Sequence, residues 1–174
     1  MDLTSAAALA SLLSFAVFVI AAVWYVAPWL GTLRRADALT LLLWIHAFRH
    51  VALQIFSAQL FGFAVSDTTR NHIAGGDVIG MILAVVTIIA LRYRVRLAIV
   101  LAWAFVLETA ADLINSTIAG LREQLFATAS GVTWIILTFY VPLLWVSLGM
   151  VVWQLYSRRR EPLGPAPAKV ATSA

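Results

Sequence analysis

Cysteine is absent from this chain. That excludes disulfides, thiolate metal sites and a cysteine nucleophile. Lysine is nearly absent. The one lysine, Lys169, lies close to the C-terminus, so no apolar segment can carry retinal through a Schiff base. Charge of either sign is scarce: Asp, Glu, Lys and Arg make up 11% of 174 residues, against about 25% in a soluble domain. Little sequence is left over for a soluble domain once the long apolar runs are counted.

Apolar sequence takes the place of charge. Hydrophobic residues make up 63% of the chain, and the mean hydropathy is +0.95. Runs of about 20 apolar residues are long enough to cross a bilayer as helices. Five are expected: Ser5 to Leu30, Leu39 to Gly62, Val78 to Leu91, Leu97 to Gly120 and Ser130 to Tyr156. The fold class is therefore an all-α, polytopic five-helix bundle in one domain (1–160), followed by a Pro/Ala-rich tail (161–174) whose composition predicts disorder. Met1-Asp2-Leu3-Thr4 holds no basic residue and the first run is long, so that run reads as a span rather than a cleavable signal.

The pI of 10.1 does not point to nucleic acid, because the basic residues fall in short connections. Arg34 and Arg35 follow the first run, Arg92, Arg94 and Arg96 the third, and Arg158, Arg159 and Arg160 the fifth. Five crossings place all three groups on one side, which the positive-inside rule makes cytoplasmic, with the N-terminus outside. The expected setting is a bacterial-type inner membrane, with the lipid bilayer as surroundings. A homodimer or a larger membrane complex is compatible with the odd span count. Trp24, Tyr25, Trp29, Trp44, Trp153 and Tyr156 read as an interfacial aromatic belt.

Within this apolar chain two segments carry charge at mid-span. One contains His46, Arg49, His50, Gln54 and Ser57; the other contains Glu108, Asp112, Asn115 and Ser116. An ionised group at mid-bilayer costs roughly 2.5–3.5 kcal/mol on insertion scales, which makes such residues functional-site candidates. Steps of three and four put each set on one helix face. Counting from Leu39 and Leu97 at 1.5 Å per residue, Arg49 is level with Glu108, and Gln54 with Asp112. Arg49 keeps its proton, so it needs an acid, and Glu108 is the expected partner. Asp112 is then left for His50, a proton or a cation. His46 and His50, one turn apart, could join Asp112 around a zinc or iron ion.

Three functions follow. The first is a site that binds or moves a proton, cation or small polar solute; it predicts a water-filled path to one surface. The second is a membrane enzyme using Asp112 and His50 as acid and base on a lipid-like substrate; it predicts an apolar pocket open to lipid and lined by Trp103, Trp134 or Tyr140. The third is a non-catalytic subunit of a complex, with the polar residues as a register lock; it predicts no cavity. Between the second and third runs, Ser66 or Asp67 is expected to cap a short interfacial helix that Gly75 and Gly76 end, leaving Asp77 to cap the third span. Gly76 and Gly80 also form one small-xxx-small pair suited to close helix approach.

Overall fold

A computed structural model of the chain describes residues 1–163. Most of the Pro/Ala-rich tail, with Lys169, lies outside the described residues. Those described form helices and no strand. Five helices are long and apolar enough to cross a membrane: α1 Leu3–Thr32, α2 Arg35–Leu60, α3 Asp67–Arg92, α4 Ala98–Arg122 and α5 Gly131–Ser157. The chain is a multi-pass membrane protein.

Contacts at the two ends fix the up-and-down course. At the arginine-rich end, Arg158 donates to the carbonyls of Leu30 (3.2 Å) and Leu33 (2.7 Å), and Arg35 to that of Leu155 (2.9 Å). Helix C-termini leave carbonyls short of donors, and these guanidinium groups add donors there. At the far end, Glu123 after α4 accepts from the Ser66 N–H (2.8 Å) and hydroxyl (2.6 Å) and from the Thr69 hydroxyl, while Arg70 bonds Gln59 at the end of α2.

Two expected boundaries move. Helix α2 starts at Arg35, four residues before Leu39. Helix α3 starts at Asp67, capped by Ser66 accepting from the Thr69 N–H (3.2 Å), and runs unbroken through Gly75 and Gly76. The separate interfacial helix does not form, and Asp77 sits eleven residues into a span instead of capping one. A helix already fully hydrogen-bonded tolerates two glycines inside, at a cost of about 1 kcal/mol each.

Within the five long helices, three stretches depart from α geometry. Residues Phe48–Gln54 of α2 form a 3-10 helix. Ala22–Val26 in α1 and Ile136–Tyr140 in α5 are π-helical turns, each ending two residues before a proline, Pro28 and Pro142. Proline lacks an N–H and its ring crowds the carbonyl four residues back; a wider turn relieves that clash.

Apolar packing is densest toward the arginine-rich end. Leu39, Leu43, Ala98, Ala102, Phe105 and Val151 are fully buried there between α2, α3, α4 and α5. A smaller cluster of Ile55, Phe63, Val65, Ala74, Leu125 and Ala129 closes the far end. The expected belt residues Trp24, Tyr25, Trp29, Trp44, Trp153 and Tyr156 are all exposed, as side chains facing lipid or its interface must be.

Candidate functional site

Arg49 is wholly buried at the point where α2, α3 and α4 meet. Its three nitrogens are all engaged. Nε donates to Asp77 Oδ1 (2.7 Å), Nη1 to the Thr109 hydroxyl (3.2 Å), and Nη2 to Asp112 Oδ2. The partners of the guanidinium are thus two aspartates from different helices, and the expected direct pair with Glu108 is not formed. Glu108 joins at one remove: the Thr109 hydroxyl accepts from Arg49 and donates to Glu108 Oε2 (3.2 Å).

The reason is register. From the true starts, Arg49 is fourteen residues beyond Arg35 and Asp112 fourteen beyond Ala98. A helix start moved by one turn moves the level partner by one turn, from Glu108 to Asp112. Asp77, counted from the opposite end of α3, lies about 15 Å along its helix, as Asp112 does from the far end of α4. The signal that could have found Asp77 was its charge: a helix beginning at the Ser66 cap makes it a third intramembrane acid.

The 3-10 turn decides which side chains share the interior. Three residues per turn align His46, Arg49, Ala52 and Ile55, and all four are buried. His50 and Ser57, expected on the polar face, are exposed instead. His50 Nδ1 lies 3.2 Å from the Ala47 carbonyl. Asn115 on α4 is exposed too. His46 is buried on the arginine-rich side of the cluster, with Nε2 2.9 Å from the Ser147 hydroxyl and its ring edge-on to Phe105. The set His46, His50 and Asp112 is therefore split three ways. Among the described residues, no group of three His, Asp or Glu side chains is arranged to hold a metal ion. The donors expected for zinc or iron are not brought together, because a 3-10 turn rotates His50 away from His46.

Gly76 and Gly80 give the cluster its room. A Cβ on Gly76 would collide with the Asp112 carboxylate, and one on Gly80 with the Arg49 guanidinium. These glycines let buried charged groups lie against the backbone of α3. In contrast, a Cβ on Gly75 would meet nothing within 4 Å.

On the far side of the charges lies a cavity of about 440 Å³. Its floor includes Asp77 and Asp112, each only 8% exposed. Its walls come from α1, α4, α5 and the end of α2, and are mostly apolar: Leu12, Phe15, Leu113, Leu137 and Trp145 are examples. The π turn of α5 forms one side through Ile136, Leu137 and Tyr140. Such turns recur at functional sites. Tyr140 lines the cavity while its hydroxyl donates to the Ile45 carbonyl (2.9 Å), so it braces α5 on α2 and does not close the charged cluster. Trp103 and Trp134 do not line it. Neutral polar residues there include Ser11, Gln54, Ser116, Thr117 and Thr133, with Gln54 Nε2 bonded to the Thr133 hydroxyl (3.2 Å).

A family model described as a domain of unknown function, DUF8737, matches residues 6–156. The chain belongs to the DUF8737 family. The match spans all five helices, so Arg49, Asp77, Asp112 and the cavity lie inside the DUF8737 region. No curated protein and no solved structure matches the chain.

Proposed function

We propose that this protein binds a small amphipathic molecule within the membrane, its apolar body in the cavity and its polar head at Asp77 and Asp112. One observation carries this reading: a largely apolar cavity of about 440 Å³ ends on two buried carboxylates. Ligand sites typically have a volume of about 300–1,000 Å³, apolar walls and a few convergent polar groups. A register lock needs no such space. If the bound molecule is also transformed, Asp77 and Asp112 are the acid–base groups within reach. His50, exposed on α2, forms no part of this reading.

Native mass spectrometry of the purified protein tests the reading. A bound species near one per chain is expected in the wild type, and its loss is expected in Ser116→Phe, which puts an aromatic ring into the cavity. A wild type that carries no such species, and that no single-chain amphiphile stabilises, overturns it.

A second reading rests on charge. Three carboxylates, Asp77, Asp112 and Glu108, gather around one guanidinium, which suits a proton, a cation or a small polar solute that is bound or moved. Proteoliposome flux abolished by Asp112→Asn would support it. Both readings carry the same setting: a bacterial-type inner membrane, the arginine-rich end in the cytoplasm by the positive-inside rule, and assembly as a homodimer or within a larger complex.

A further inference from the structure

The chemistry of the cavity floor selects among amphipathic heads. Arg49 is the nearest cation, and its three nitrogens already donate to Asp77, Thr109 and Asp112. No Lys, Arg or His lines the cavity among the described residues. An anionic head, such as a carboxylate or phosphate, would find no free donor with positive charge and two carboxylates facing it. The acceptors are the reverse case. Asp77 and Asp112 each give one oxygen to Arg49, and the second oxygen of each accepts no hydrogen bond from a described residue. Ser116 Oγ, buried on the cavity side of α4 one turn from Asp112, has no partner either. Buried polar atoms without partners are uncommon in folded proteins. Here one such hydroxyl lies beside two carboxylates at one end of an apolar space.

The sides of the cavity suit a hydrocarbon chain. Helices α1 and α4 face each other across it while each packs chiefly on other neighbours, α1 on α5 and α4 on α3. Leu12 and Leu121, both exposed, mark this line on the outer surface. A chain can pass between α1 and α4 from lipid without crossing the charged cluster.

We infer that the cavity takes a single-chain amine, with a protonated primary or secondary ammonium donating to the free oxygens of Asp77 and Asp112 and the hydrocarbon lying between α1, α4 and α5. The ammonium offers donors only, which suits the two carboxylates of the floor, and its charge offsets the carboxylate excess around Arg49. This rests on the amphipath-binding reading above and adds the sign and hydrogen-bonding character of the head.

Trp145 lines the cavity, and so supplies the readout. Full-length protein in lipid nanodiscs is titrated with dodecylamine carrying a terminal bromine, a quencher of tryptophan fluorescence. Equally brominated dodecanoic acid and dodecanol are run in parallel, with Trp145→Phe to isolate the cavity signal. The amine is expected to quench Trp145 saturably and to bind at least about tenfold more tightly than the acid or the alcohol, the scale of a hydrogen bond to a charged group. Asp112→Asn and Asp77→Asn are expected to remove most of that preference, and Ser116→Ala a smaller part. The wild-type comparison of amine with acid stands even if an aspartate variant fails to fold. If the acid binds as well as the amine, or the preference survives both asparagine variants, the amine assignment is overturned while amphipath binding stands. If none of the three probes quenches Trp145 and Ser116→Phe still carries the bound species of the wild type, both readings fall.

Discussion

The two halves of this bundle use the same five helices and solve opposite problems. Toward the arginine-rich end the helices close on one another. Leu39, Leu43, Ala98, Ala102 and Val151 are fully buried, and Arg35 and Arg158 satisfy carbonyls at the ends of α5 and α1. Toward the far end the helices part around a cavity, and the 3-10 turn of α2 and the π turn of α5 flank it. Arg49 lies between these regimes, beneath the cavity floor. The contrast teaches that close packing and open space are divided between the two ends, with the polar cluster at their boundary. A lock is best built where packing is dry, as His46 and Ser147 are; the acids of this cluster instead border open space.

The largest effect should come from Arg49 itself. Arg49→Met leaves Asp77 and Asp112 buried without a cation, and breaking a buried pair from one side costs about 3–5 kcal/mol. Thermal unfolding in detergent should fall accordingly, with part of the loss restored by adding Asp77→Asn and Asp112→Asn. An unchanged melting temperature for Arg49→Met would mean that the guanidinium does not join the two halves. Arg49→Lys should also lose stability, because an ammonium cannot reach three separate acceptors with the guanidinium's planar geometry.

Next in size is a contrast between adjacent glycines. Gly76→Ala and Gly80→Ala push a methyl into Asp112 and Arg49, groups already pinned by one another, and overpacking of this kind costs about 1–3 kcal/mol. Gly75→Ala meets nothing and should stabilise α3 by roughly 0.5–1 kcal/mol. Equal effects from Gly75→Ala and Gly76→Ala would show that α3 does not press on the cluster.

A change confined to the dry half should be smaller. Ser147→Ala takes from His46 its hydrogen-bond partner at Nε2, and a typical hydrogen bond contributes a net of about 0.5–1.5 kcal/mol. Binding at the cavity should not change, and a shift in ligand affinity with Ser147→Ala would break the division between the halves.

The smallest effect is at the far rim. Hydrogen bonds from the Ser66 hydroxyl, the Thr69 hydroxyl and the Ser66 N–H hold the Glu123 carboxyl below its usual value of 4.5. A depressed carboxylate contributes stability that is complete above the unfolded value and is lost as pH falls through the folded one. Amide exchange at Ser66 and Thr69 should therefore be flat above about pH 5 and speed up, relative to its intrinsic rate, in more acid buffer. Protection that is insensitive to acid would remove Glu123 as the tether between α3 and α4.

Much of this was legible from residue order. Cap chemistry at Ser66 was readable, as was the burial of Arg49 with acids from α4. Other parts were hidden for identifiable reasons. The apolar run of α2 begins at Leu39, but its helix begins at Arg35, since the first turn of a span can lie in the interface with arginine outward or capping a neighbour. That one turn replaced Glu108 by Asp112. The steps of three and four assumed α geometry, and the 3-10 turn placed His50 and Ser57 on the exposed face. Asp77 followed two glycines that read as a helix end; their reason for being small is a contact with side chains from other helices.

The sequence by itself determined that five helices are long and apolar enough to cross a membrane and that Arg49 must find acids inside, because hydropathy over about 20 residues and the permanence of the guanidinium charge are local properties. Only the tertiary structure decided which acids those are, where the histidines point, and that an apolar cavity opens beside Asp77 and Asp112. Those outcomes depend on helix rotation and on register to within one turn, and on space left between helices far apart in the chain. None of these is written in any one segment.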